Sequence, residues 1–383
     1  MPKTKVHQIA LVLIFTLILF SCTPNSENSE NTDSISKANI EFNIGSAQMV
    51  IEIARDIEAG KALDENIWDE LFSSPGYKNY LVYRDSVWKK DLIKEAMFTV
   101  FDDSNSSKLD SLMELTVKLD KNFMKLSLVH NFHSIKTNLD EIERYLEETD
   151  FSKIFTRADS LALTYMPTRT RKSSADLYPV FIVVSDPDGR VQEKSIILDL
   201  NLMFEMGTEG LIKFIAHEFH HNYRGLLVSI YESPLMEELN KLHQEAIADL
   251  IDKKKPPIEK LGLFPKSIAD TYNSDYMNTP NNLQTLDSLV VGYSTGKIDE
   301  TIFNDRIKGF FKFGGHTTGI YMSFLINETI GKEQLIESCD NPVEFLRIYN
   351  SVAKGLKNEY IFSDSFIEYI GELEANAENK YAN

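Results

Sequence analysis

The chain has 383 residues, is 43% apolar and 26% charged, and carries a formal net charge of -18. That length and balance fit a globular protein with a sizeable core, in one large domain or two smaller ones. The acidic excess excludes nucleic acid, or an anionic membrane surface, as the main partner, because either would repel it.

Lys3 and Lys5 precede an apolar run over residues 9–20, which is short for a membrane span and reads as a secretory leader. It ends in Leu19-Phe20-Ser21-Cys22, which resembles the lipobox of bacterial lipoproteins. Phe20 is bulkier than usual for that motif, whereas the small Ser21 fits it. The resemblance implies removal of residues 1–21 and lipidation of Cys22, so that the membrane is touched through the anchor alone. The expected address is the cell envelope, facing periplasm or surface. Residues 22–38 are polar and read as a disordered tether. Cys339, the only other cysteine, is then left without a partner. No disulfide is expected, and Cys339 should be a small buried apolar residue.

Residues 39–165 read as helical. Ile51, Ile53, Ala54 and Ile57 precede Gly60, a C-terminal stop, and Ser74-Pro75-Gly76-Tyr77 reads as a turn. Leu128, Phe132, Ile135, Leu139, Ile142 and Leu146 recur in steps of four and three, the stripe of one long packed helix. His130 and His133 lie on it, but no third ligand stands at a recognisable spacing, so a surface or boundary place is expected. At Met166-Pro167 the pattern changes. Val180–Val184 and Ser195–Leu200 are β-branched runs around Asp186-Pro187-Asp188-Gly189, which predicts two antiparallel strands.

Thr208 is a candidate N-cap for the next helix, buried through Leu211, Phe214, Ile215 and Ala216. This helix carries His217-Glu218-Phe219-His220-His221. Residues four apart on a helix share a face, so His217 and His221 present two imidazoles to one zinc ion. Glu218 sits beside the first ligand, where a carboxylate can serve as general base. His220 is the confounder, but pairing it with His217 would leave Glu218 without that place. Ser233-Pro234 starts a further helix through Leu235, Leu239, Leu242, Ala246 and Leu250, ended by Pro256-Pro257. Residues 253–298 read as loop with short helices and the remainder as helical.

Gln244-Glu245-Ala246-Ile247-Ala248-Asp249 contains Glu-x-x-x-Asp and, with His-Glu-x-x-His, resembles the gluzincins, zinc metallopeptidases whose third ligand is a glutamate on a following helix. The resemblance implies that Glu245 is the third ligand and that Asp249 hydrogen-bonds the first ligand histidine. A carboxylate in that place orients the imidazole and raises its basicity. His243 is the alternative third ligand. Gluzincins also take an oxyanion donor, a His or Tyr, from their C-terminal part. His316 in Gly314-Gly315-His316-Thr317-Thr318-Gly319 is the candidate; its bland alternative is a helix-terminal residue without a catalytic part.

The motif helix, the glutamate helix and the later Gly-rich His element together resemble a family of zinc-dependent peptidases found as bacterial lipoproteins. Nothing matches the substrate-binding motifs of the aminopeptidase branch. The expected fold is α+β and mostly helical. A zincin-like domain with a small antiparallel sheet over 166–383 is preceded by the helical region 39–165. The expected function is hydrolysis of peptides or proteins with Zn2+. Two readings compete with it: an envelope lipoprotein that binds a partner or glycan around a structural zinc, and a zinc hydrolase of non-peptide amides. A closed structural site would need a fourth protein ligand, which no short spacing supplies.

Overall fold

The structure, a computed structural model, describes residues 40–82, 86–171, 177–192, 194–228, 231 and 233–381. The leader, Cys22 and the whole of the tether lie outside them. The fold is α+β and mostly helical. Ala38–Asn383 form one compact unit, and among the described residues the main apolar core runs from Ala47 to Ile370 through both the 39–165 and 166–383 segments, with a small second cluster of Val117, Leu126 and Ile268.

The sheet is small and mixed. Strand β1 (Phe42–Asn43) is followed by helices α1 (Gly45–Glu58) and α2 (Pro75–Tyr80), the second starting at the proline that the sequence read as a turn. The apolar stripe of six residues is buried at every position, but it runs along two helices, α3 (Phe123–Thr137) and α4 (Leu139–Glu148). Asn138 breaks them apart: its side-chain amide and backbone N–H both reach back to the Ser134 carbonyl. Asparagine competes in this way for helical backbone groups, so the stripe's period survives a break in the helix. Helix α5 (Phe151–Leu163) follows.

Strands β2 (Val180–Val183), β3 (Gly189–Gln192) and β4 (Ser195–Asp199) complete the sheet in the order β1-β2-β4-β3. The two runs expected to pair antiparallel do not. β2 and β4 are parallel, Val180 opposite Ile196, and the antiparallel partner of β4 is β3, Gly189 opposite Leu198. The turn after β2 sends the chain back along the far side of β4's position, and β4 then fills the gap between them. β3 is left at the sheet edge. Its turn is pinned by Arg190, which donates to Asp186 at 2.6 Å and Asp188 at 3.2 Å under the Tyr80 ring, while Tyr80 Oη donates to Asp186 at 2.7 Å.

The chain passes from β4 straight into helix α6 (Leu200–Gly225), earlier than Thr208. Asp199 is the cap. It is fully buried and accepts from the backbone N–H groups of Leu202 and Ser185 and from Asn131 Nδ2, all at 2.9 Å. Gly207, at φ 62, interrupts α6 one residue before the expected start. Helix α7 (Pro234–Asp252) begins at the expected proline. Residues 253–298 are more helical than expected, with helices over Lys266–Met277 and Thr279–Ser294. Helix α8 (His316–Ile330) and the later helices then close the core, in which Cys339 is a free, buried thiol. Among the described residues no helix is long and apolar enough to cross a membrane.

Candidate metal centre

Helix α6 is buried along most of its second half, with Phe219 against Phe155 of α5 at 6.3 Å between ring centroids. Tyr223 also donates a hydrogen bond to Asp159 on α5. That anchoring fixes which face meets α7. His217 faces Glu245 and Asp252, whereas Arg224, two turns on, faces Asn240 and His243. The two helices therefore run antiparallel.

On the shared face His217 Nε2 lies 3.4 Å and His221 Nε2 3.3 Å from one atom, Glu245 Oε2. The two imidazoles meet edge to face, 4.5 Å between centroids. Glu245 Oε2 is buried without a hydrogen-bond partner, and so is Glu218 Oε2. Ligand atoms 2.0–2.1 Å from a tetrahedral zinc stand about 3.3–3.4 Å apart, which is the separation found here. Atoms too far apart to hydrogen-bond, yet converging in a buried place, are the arrangement that a shared cation relieves. Two sets of side chains can hold an ion among the described residues: His217, Glu218 and His221, and His217, Glu245 and Asp249. The residues present thus fit zinc in type, burial and spacing.

Charge is balanced locally. Burial pushes the Glu218 carboxyl above its ordinary range. Burial works the same way on Glu245, but the His221 and His316 imidazoles outweigh it and hold that carboxyl well below the usual range. His220 and His243 are fully buried, and burial pushes both down, so they are neutral imidazoles. His220, whose two ring nitrogens are buried without a hydrogen-bond partner, belongs to neither set. His243 Nδ1 accepts from Arg224 at 3.1 Å and its ring stacks on Phe345, so it does not stand as third ligand.

The second carboxylate of the motif is not where the resemblance implied. Asp249 Oδ1 stands 3.7 Å from His217 Nδ1, while Asp252 Oδ1 is 3.0 Å from it. Asp249 instead meets His316 Nδ1 with both oxygens, at 2.9 and 3.0 Å. Asp252 escaped the sequence reading, although Glu245, Asp249 and Asp252 fall at i, i+4 and i+7 and so share a helix face. Lys253 escaped it too; its Nζ is 2.8 Å from Asp252 and 3.6 Å from Asp249.

His316 begins α8 and joins the cluster, 3.4 Å from Glu245 Oε2, with its ring 5.9 Å from that of His217 and 29% of its side chain exposed. Its carboxylate neighbours, against the effect of burial, raise its proton affinity. His130 and His133 do not join. They line a separate cavity of about 270 Å³, with Pro187 and Phe264 on its walls.

The edge strand β3 lies against α6. A Cβ added at Gly189 would stand 2.4 Å from Phe214 Cζ and 3.1 Å from Glu218 Oε1. Only glycine lets the strand come so close. Gly189→Ala is expected to displace Glu218 and cut activity by about 10²-fold with zinc content unchanged, since a misplacement of about 1 Å costs that much. Steady-state kinetics beside metal analysis would check it, and unaltered kinetics would refute it.

A family model described as "Putative zinc dependent peptidase (DUF5700)" matches residues 68–358. No curated protein and no solved structure matches the chain. The cofactor named in that description is zinc, and the donor set above accommodates it.

Proposed function

We propose that this chain, which belongs to the DUF5700 family, is a gluzincin-type zinc peptidase that cleaves peptides or proteins in the cell envelope. The observation that carries this reading is the convergence of His217 Nε2 and His221 Nε2 on Glu245 Oε2 beside the unpartnered carboxylate of Glu218. His217, His221 and Glu245 would hold the ion. Zinc bound there supplies a water of lowered pKa, about 7, and polarises the scissile carbonyl.

Glu218 takes a proton from the attacking water and gives it to the departing amine, a task suited to a carboxyl whose burial has raised its proton affinity. His316, partly exposed and backed by Asp249, donates to the oxyanion of the tetrahedral intermediate. β3 offers its free edge to an extended peptide, which would run along the strand past Glu218. The lipobox-like Leu19-Phe20-Ser21-Cys22 supports removal of residues 1–21 and anchoring through Cys22, with residues 22–38 as the tether.

The test is made on chain lacking residues 1–21. It should carry about one zinc per molecule and cleave members of an unbiased peptide library. A chelator should abolish cleavage and added zinc restore it. Purified chain without stoichiometric zinc would overturn the reading.

A further inference from the structure

The two aspartates after Glu245 have different partners, and the helix explains why. At 3.6 residues per turn, Asp249 lies about 40° to one side of Glu245 and Asp252 about 20° to the other. α7 is flanked by α6, which carries His217, and by α8, which starts at His316. The angular offset sends one carboxylate to each neighbour. We propose that Asp252 is the positioning residue for the metal ligand His217, and that Asp249, the aspartate of the Glu-x-x-x-Asp motif, positions His316 instead. The assignment rests on the zinc site proposed above.

A neutral imidazole has one N–H. Given to Asp252 at 3.0 Å, the Nδ1–H of His217 leaves the Nε2 lone pair facing the side where Glu245 Oε2 stands. Asp249, 3.7 Å away, is too far to accept that proton and is engaged with His316 through both oxygens. Asp249 is wholly buried and Asp252 nearly so. Two buried carboxylates one turn apart need a cation, and Lys253 provides it from the end of the same helix. Sequence and structure thus read Glu-x-x-x-Asp-x-x-Asp-Lys, with the metal's orienting carboxylate one turn later than the motif implies.

The experiment measures zinc affinity by competition with a chelator of known strength, together with 15N-histidine NMR of the metal-free protein. Asp252→Asn should weaken zinc by about 10–100-fold and remove the Nδ1–H signal of His217. Asp249→Asn should leave zinc within about threefold of wild type, shift the His316 signal and lower kcat. A double change, Asp252→Asn with Lys253→Met, repeats the affinity measurement without an unpaired lysine, so that misfolding cannot imitate the result. The same loss of affinity is expected. Equal or greater weakening by Asp249→Asn, or wild-type affinity in the Asp252 variants, would overturn the assignment. If the wild-type chain itself binds no zinc, the proposed function falls. The imidazole signals still decide which carboxylate holds which ring.

Discussion

Glu218→Gln is expected to lower kcat/KM for peptide cleavage by about 10³-fold while about one zinc per chain stays bound. Glutamine matches glutamate in size and keeps a polar oxygen in the same place, so packing around the α6 backbone is little disturbed. What disappears is the capacity to accept a proton. Glu218 Oε2 is buried without a partner, as suits a group that waits for a proton rather than one held in a structural hydrogen bond. Burial raises its proton affinity above that of an ordinary carboxyl, the direction a proton acceptor needs. Zinc retention is the second half of the prediction, because the converging atoms belong to His217, His221 and Glu245. Glu218 also lies within reach of both histidines as a possible ligand. Loss of zinc in the variant would make it a ligand, and undiminished cleavage would remove it as the base.

The parts of this protein that its sequence foretold are those set by one helix's own geometry. The four-residue step from His217 to His221 puts both rings on one face whatever surrounds them, and Pro234 at the head of α7 fixes where Glu245 can be. The mostly helical α+β class followed from residue periods in the same way. What stayed hidden depends on neighbours distant in sequence. β3 has polar Arg190 and Gln192 where an alternating pattern would help, and it exists because β4 pairs with it. The same short strand turned an expected antiparallel pair into a mixed sheet. Asp199 caps α6 from inside the sheet, so the helix starts eight residues before Thr208; aspartate is a common cap, but here it also ends a β-branched run that reads as strand. The helices over 266–294 are rich in Asn, Ser, Asp and Thr, weak helix formers that packing against α8 overrides. Asp252 was hidden for a different reason. The familiar spacing supplied an aspartate that satisfied expectation, and the 3.0 Å contact to His217 requires knowing how α6 leans on α7.

The Gly-rich element around His316 is required by the close approach of α8 to α7. Gly315 and Gly319 stand four apart, both turned toward α7. A Cβ at Gly319 would sit 2.7 Å from the Leu242 carbonyl oxygen, 3.0 Å from Ala246 N and 3.1 Å from Ala246 Cα. At Gly315, where φ is 104°, it would be 2.8 Å from Leu242 Cα. These neighbours are backbone, so no side chain can swing away, and α8 as a whole must lift. Gly319→Ala is therefore expected to destabilise the fold by about 2–3 kcal/mol, even though alanine is the better helix former. The same displacement draws His316 from Asp249 and disturbs Ala246, the residue next to Glu245. Activity and zinc affinity should fall together with stability. Gly210→Ala is the matched control. Its added Cβ meets only Met206 Cβ at 3.4 Å on an exposed turn of α6, and it should be neutral or stabilising by up to about 1 kcal/mol. Urea denaturation of both variants, beside kinetics and zinc titration, separates the cases. A Gly319→Ala protein as stable and active as wild type would mean that α8 does not need this approach to hold His316 over the metal centre. Loss of stability alone, with kinetics and zinc affinity intact, would detach the glycines from the chemistry and leave them a role in packing only.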